Sequence, residues 1–319
     1  MCTSTTAVKI GLHSNQLSVR GTEVAIWDYA QGLRSRGHTI RVFAEAFSRN
    51  NEPQVIQRFQ EEFDTVLYES WDHVLEFPDI DFLYMIKSGE RDEKIPAPGV
   101  RHGVHVVFMN HDPHGDVYAY ISRWLSNRMS RGRLPYVPHI VSLPVAQADL
   151  REELGIPESA TVFGRHGGHD TFNIPWVRST VLRVLEMHEN AWFVFLNTDS
   201  FVNHERVVHL EATPDRQRKA EFINTCDAML HARASGETFG LACAEFSLAN
   251  KPVITFALSP EQAHIEMLGQ KALLYASEDE LLRLLLSFEP RPELDWNAYR
   301  DYAEEPVMDM FEEVFLGGL

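Results

Sequence analysis

The chain has 319 residues, 44% of them hydrophobic and 24% charged, which suits about two soluble domains of ordinary size. No run approaches the roughly 18–20 apolar residues of a membrane-spanning helix, and "MCTSTTAVKIGLHSN" lacks the basic-then-apolar order of a secretory leader. A formal net charge of -17 disfavours general nucleic-acid binding, because the summed field repels a polyanion. Cys2, Cys226 and Cys243 are odd in number and far apart, so no disulfide framework is expected and a cytoplasmic, reducing setting fits.

The elements begin with "VKIGLH", a short apolar strand. "GTEVAIWDYAQGLRSRG" follows, with Val24, Ile26, Trp27, Ala30 and Leu33 near helical spacing and Gly37 as its stop. "HTIRVFAEA" is a second strand. Strand, helix and strand within about 40 residues make a βαβ unit and a parallel sheet. Further strands are expected at "TVLYES", "DFLYMIKSG" and "GVHVVFMNH". A helix is expected over "GDVYAYISRWLSNRM", and "PYVPHIVSLPV" reads as a last strand and exit loop.

The pattern then restarts. "ADLREELGIP" reads as a short connecting helix and "ATVFGRHGG" as a new first strand with a glycine-rich end. "IPWVRSTVLRVLEMHEN" is an amphipathic helix, "AWFVFLNTD" a buried strand, and "KAEFINTCDAMLHAR" a helix and a strand. "GLACAEFSLAN" is a helix, "KPVITF" and "KALLYA" are strands, and "EDELLRLLLSF" is a helix. Two doubly wound α/β domains are expected, 1–143 and 144–290, with a hinge near Val141 to Ala148. The tail 291–319 places Trp296, Tyr299, Tyr302, Val307, Met310, Phe311 and Phe315 near helical spacing and reads as helices packing back on the first domain.

Ligands of such sheets bind at the C-terminal ends of the strands. "SGETFGLACAEF" is the segment with most to offer there. Gly236, Phe239 and Gly240 precede a helix, whose first N–H groups and dipole suit an anion. Glu245, about one and a half turns into the helix, can accept from neutral hydroxyls such as those of ribose. The same residues also fit a plain reading, with Glu237 as a first-turn acid and Glu245 on a solvated face. These residues alone leave both readings open.

"CDAMLHARASGETFGLACAEFSLANKPVI" resembles the nucleotide-sugar motif of the retaining glycosyltransferases of family four. That motif has two glutamates separated by seven residues, with Phe-Gly after the first. Glu237, Phe239, Gly240 and Glu245 match it position by position. Three more segments resemble the family in its order: "SVRGTEVAIWDYAQGLRSRGHTIRVFA" its opening glycine loop, "NHDP" its histidine segment, and "VFGRHGG" the Gly-Arg turn of its C-terminal domain. The resemblance implies the GT-B fold: two Rossmann-like domains facing a cleft, with a C-terminal helix crossing back to the N-terminal one.

It also implies roles. Glu245 would hold the ribose hydroxyls, and the N–H groups of Phe239 and Gly240 the phosphates. Glu237 would lie near the donor sugar, and Arg165 would neutralise the departing diphosphate. Gly21 would let backbone approach that diphosphate, and His111 would meet the sugar. The expected reaction moves a hexose from a UDP- or GDP-sugar to a glycan, lipid or small-molecule hydroxyl, with retention. Neither a metal nor a further cofactor is implied. The family's lysine after the Gly-Arg turn has no counterpart in "GRHGGHDTFNIPW", where Gly167, Gly168, His166 or His169 would take its place. A silent nucleotide-sugar-binding module and another GT-B enzyme, such as a sugar-nucleotide epimerase, are the alternatives.

Two other features have plain readings. The pairs His111/His114 and His166/His169 sit in loops, where their spacing alone fixes no metal geometry. Arg123, Arg128, Arg131 and Arg133 read as a solvated helix end, with peripheral membrane contact as the alternative.

Overall fold

A computed structural model describes residues 7–77 and 79–318, so Cys2 lies outside the described residues. The chain forms two compact units. One extends to Ile140 and takes up the chain again from Tyr302; the other is Val141–Asp301.

The first unit contains β1 (Lys9–Ser14), α1 (Gly21–Ser35), β2 (Thr39–Glu45), α2 (Pro53–Glu62), β3 (Asp64–Tyr68), α3 (Trp71–Leu75), β4 (Phe82–Lys87), β5 (Arg101–Val106), β6 (Val117–Tyr120) and α4 (Arg123–Ser130). Its strands lie in the order β3-β2-β1-β4-β5-β6, every neighbouring pair parallel. The winding reverses between β1 and β4. A reversal of this kind opens a crevice beyond the carboxyl ends of the two strands.

The second unit contains β7 (Thr161–His166), α5 (Pro175–Met187), β8 (Ala191–Leu196), β9 (Val207–Leu210), α6 (Arg216–Thr225), β10 (Ala228–His231), β11 (Gly236–Glu237), α7 (Leu241–Leu248), β12 (Val253–Phe256), β13 (Glu261–Gln262), α8 (Ala263–Leu268), β14 (Ala272–Tyr275) and α9 (Glu278–Leu286). The sheet order is β14-β12-β10-β7-β8-β9, again parallel, and the reversal falls between β7 and β10. Its strands read as continuous apolar runs because helices cover both faces, which is why Phe163, Phe193, Val194 and Phe195 are all buried.

Three segments ahead of the tail differ from the sequence reading; in the tail, 291–299 form no helix, and 291–301 go with the second unit. Residues 115–129 are not one helix. Val117–Tyr120 pair with β5, and α4 begins only after Ser122, whose hydroxyl accepts from Leu125 N at 3.1 Å and caps it. "PYVPHIVSLPV" forms no strand beyond one bridge between Tyr120 and Tyr136, because Pro135, Pro138 and Pro144 have no N–H to pair. "ADLREELGIP" is a set of turns closed by Gly155 at φ 67°.

The final helix, α10 (Glu304–Phe311), belongs to the first unit and packs on α1. A Cβ on Gly32 of α1 would sit 2.8 Å from the Met308 side chain, so the two helices touch where only hydrogen fits. Phe311 meets Tyr29 and Tyr84, each at a ring separation of 5.1 Å. Arg36 bridges Asp309 at 2.7 Å and Glu312 at 3.0 Å. Phe311→Ala should cost about 3–5 kcal/mol in urea unfolding, the range for losing a fully buried ring. Phe47, 77% exposed, should cost no more than about 0.5 kcal/mol when changed to Ala. Similar losses for the two variants would contradict the packing of α10.

Candidate nucleotide-sugar site

In the second unit the motif residues gather at the reversal of the sheet. Arg165 and His166 end β7, and His231 ends β10 beside it. From β10 the chain turns through β11, which carries Glu237, into α7, which carries Glu245. Gly164 precedes the arginine because a Cβ there would lie 2.1 Å from Cys226 Sγ.

Two glycines set the turn. Gly236 has φ 78°, and a Cβ on it would lie 1.9 Å from the Glu261 carbonyl oxygen. This closeness lets β11 pair with β13, which fixes the backbone of Glu237. Gly240 has φ 87° and caps α7; its Cβ would press on His264 Cβ at 3.0 Å and Glu237 Cβ at 3.2 Å. Both are therefore required by packing and backbone conformation, reasons the sequence reading did not supply. Phe239, between them, is buried.

Glu245 is 3% exposed and carries its charge between the Lys219 ammonium and the His166 ring, which burial keeps from taking a second proton as readily as a free histidine. Lys219 of α6 contacts Oε1, and His166 Nε2 lies 3.0 Å from Oε2 without the alignment of a hydrogen bond. Burial pushes the Glu245 pKa up, but Lys219 and His166 outweigh it and hold it at about 2. Glu237 has the same balance. Burial raises its pKa, while a bond from His231 Nε2 (3.2 Å) and one from Arg233 Nη1 (2.7 Å) bring it to about 2. Each carboxylate is an acceptor with lone pairs left for hydroxyl donors.

Arg165 is also buried. Its guanidinium donates to Thr198 Oγ1, Thr171 Oγ1 and, at 3.0 Å, the Gly168 carbonyl. Burial lowers its pKa to about 10, with Glu237 opposing the fall, so it remains a cation at neutral pH. Gly167 and Gly168 form the turn beneath it. Asn197 Nδ2 holds the Gly167 carbonyl at 2.8 Å. His169 is exposed, 3.3 Å from Asp199.

Gly21 and His111 belong to the first unit. Gly21 is exposed at the first position of α1, next to Glu23, a buried carboxylate accepting from Ser14 (3.0 Å), Ser18 (2.6 Å) and Thr22 (2.6 Å). His111 is exposed between β5 and β6, with Nδ1 2.7 Å from Tyr120 Oη. His13, at the end of β1, is buried and bonded to Tyr68 Oη at 2.8 Å. Among the described residues no group of three or more His, Cys, Asp or Glu side chains is placed to hold a metal ion, and no helix is long and apolar enough to cross a membrane.

The sequence reading missed Lys219, His231, Arg233, Thr255 and His264. Lys219 looked like an ordinary surface residue in "RQRKAEF", and His231 looked like strand core. Their importance comes from contacts across 26 residues for Lys219 and 6 for His231, which no local pattern records.

No family model matches the chain, and no curated relative matches it by sequence. Solved structures share its fold over almost the whole length. Anabaena Alr3699/HepE, solved with UDP-glucose, aligns with a TM-score of 0.71 and 12% identity, covering 97% of this chain and 95% of that one. WaaG, a glycosyltransferase involved in lipopolysaccharide biosynthesis, gives 0.68 and 12%, with 97% and 100% covered. A putative UDP-N-acetylglucosamine 2-epimerase from Listeria monocytogenes gives 0.62 and 11%, with 97% of each chain covered. The chain has the two-domain α/β fold of these GT-B proteins.

The two depressed carboxylates have a consequence for stability. A carboxylate with a lowered folded-state pKa stabilises the fold above its unfolded value, near 4.3, and that contribution fades as pH falls toward 2. Urea unfolding of the protein should therefore weaken steeply between about pH 4.5 and 2, and Glu245→Gln should flatten that slope. An unchanged slope in Glu245→Gln would contradict the ion pairing of Glu245.

Proposed function

We propose that the protein is a retaining glycosyltransferase of the family-four type, using a nucleoside-diphosphate hexose as donor. The observation that carries this reading is the placement of Glu237, Glu245 and Arg165 around the reversal of the second sheet, at the entry to α7. A nucleoside diphosphate needs hydroxyl acceptors for its ribose and positive potential for its phosphates. Glu245 supplies the first. The start of α7 and the Arg165 guanidinium supply the second. Glu237 takes hydroxyls of the donor sugar, and Gly167 and Gly168 leave room beside the arginine. The fold shared with HepE and WaaG supports the reading, and UDP is the first nucleotide to test because HepE was solved with UDP-glucose.

Lys219 answers the departure noted in the sequence. The cation missing after Arg165 is not replaced in that loop, but α6 brings a lysine onto the ribose-binding carboxylate. It keeps Glu245 ionised, so the carboxylate accepts and never donates. The sugar–phosphate bond then breaks as Arg165 stabilises the leaving diphosphate, which takes the proton of the incoming hydroxyl on the same face. This account calls for no metal. His111 and Gly21, in the first unit, act on the sugar and the diphosphate. The acceptor comes to the edge of the first sheet where β1, β4 and β5 end.

The epimerase among the structural neighbours gives a second reading, which the product separates. Proton NMR of a reaction with UDP-glucose should show a new α-linked glycoside when a competent acceptor is present, or free α-glucose from slow hydrolysis when none is. A UDP-sugar epimer as product would replace the transferase reading.

Two variants test the roles. Glu245→Ala should weaken UDP binding by about 1.5–3 kcal/mol in calorimetry, the scale for hydrogen bonds to a charged group. A folded variant with unchanged affinity for UDP and GDP would remove Glu245 from the site. Arg165→Ala should lower turnover of UDP-glucose by about a hundredfold or more. Near-normal turnover would place the diphosphate elsewhere.

A further inference from the structure

Behind Glu237 lies a line of buried polar side chains that the reaction described above does not use. His231 Nε2 is 3.2 Å from Glu237 Oε1. On its other side His231 Nδ1 is 2.8 Å from Thr255 Oγ1, at the level where β10 and β12 pair. Thr255 Oγ1 is in turn 2.9 Å from His264 Nε2, on α8. His231, Thr255 and His264 are each at most 4% exposed. The line ends at His264 Nδ1, a buried atom with no hydrogen-bond partner among the described residues.

We propose that this line is a proton-ordered support that makes His231 a positioning residue for Glu237, with Thr255 and His264 locking the tautomer of His231. The role of Glu237 toward the donor sugar rests on the reading given under the proposed function; the proton order does not.

The order follows by counting protons. Glu237 is an ionised carboxylate with Arg233 on its second oxygen, so it only accepts. His231 must then carry its proton on Nε2. Its Nδ1 is bare and accepts from the Thr255 hydroxyl. A hydroxyl has one proton, so Thr255 Oγ1 accepts from His264, which must carry its proton on Nε2. His264 Nδ1 is left bare, and burial, with His231 beside it, keeps that ring from taking a second proton at neutral pH. The reverse order needs a doubly protonated His231. It also puts an N–H on His264 Nδ1, which makes no aligned hydrogen bond, although the Glu237 backbone carbonyl lies near that ring.

The order has a consequence for Glu237. If His231 turned to its other tautomer, a bare ring nitrogen would face a carboxylate oxygen, and lone pair would meet lone pair. The carboxylate would lose its donor and its orientation. Held by His231 on one oxygen and Arg233 on the other, it presents its remaining lone pairs in a fixed direction, which suits a pair of sugar hydroxyls.

The test has two arms. The first is 15N-edited NMR of the ligand-free protein with 15N-labelled histidine, each ring assigned by substitution. The expected result is the Nε2–H tautomer for both His231 and His264 at pH 7. A doubly protonated His231, or Nδ1–H on His264, overturns the proposal. This arm needs no donor, so it stands or fails apart from the transferase reading.

The second arm measures UDP-glucose hydrolysis and UDP affinity in His231→Phe, His231→Gln and Thr255→Val. His231→Phe and Thr255→Val should each lower kcat about tenfold or more, the usual scale for losing the partner that orients an active group. UDP affinity should stay within about threefold, since the bare nucleotide carries no sugar for Glu237 to meet. His231→Gln keeps an N–H donor near the Nε2 position and should recover part of the loss. Equal losses in kcat and UDP affinity, or no recovery with Gln, would make His231 a packing residue and overturn its positioning role. Absence of UDP-glucose binding in the unsubstituted protein would overturn the donor reading and the role of Glu237 toward the sugar with it.

Discussion

A carboxylate taken out of water must find a cation or several donors, and the second unit is arranged around two that do. Glu245 is almost fully enclosed, and a lone charge there would cost several kcal/mol. Lys219 and His166 prevent that from two different elements, α6 and the end of β7. Glu237 draws His231 and Arg233 from the end of β10 and the turn after it. Such pairs add little net stability compared with an apolar core. Their value is that both carboxylates stay ionised, oriented acceptors well below the usual carboxylate range.

Backbone geometry holds these side chains where the sheet reverses. Gly236 permits the short β11–β13 pairing that fixes Glu237, and Gly240 lets α7 start against His264. A side chain at Gly236 would meet the Glu261 carbonyl, and one at Gly240 the His264 and Glu237 side chains. Helix dipole, arginine and paired carboxylates then face the same loops, the place where open parallel sheets take ligands. The first unit repeats the topology with different chemistry at its edge: a buried glutamate fed by three hydroxyls, and a histidine tied to a tyrosine.

Much of this was legible in the sequence. The alternation of apolar runs with helical spacing gave two parallel α/β units, because buried parallel strands and their covering helices differ in period and length. "VYAYISRWLSNRM" was misread because its apolar residues satisfy both periods, and only pairing with β5 decides. "PYVPHIVSLPV" is apolar enough for a strand, but its prolines cannot join a ladder. Within the site, Glu237, Gly240 and Glu245 stood out through the resemblance to a family motif whose spacing is local; the residues alone left a plain reading open. Lys219, His231, Thr255 and His264 did not stand out, since their partners lie on other elements and each looks ordinary in its own stretch.

We propose that the second unit holds a nucleoside diphosphate with its ribose on Glu245. A crystal structure of the protein soaked with UDP tests this most directly. The account predicts ribose hydroxyls within hydrogen-bond distance of the Glu245 carboxylate and the diphosphate between Arg165 and the start of α7. Nucleotide bound elsewhere, with the Glu245 carboxylate making no contact to ribose, would contradict it.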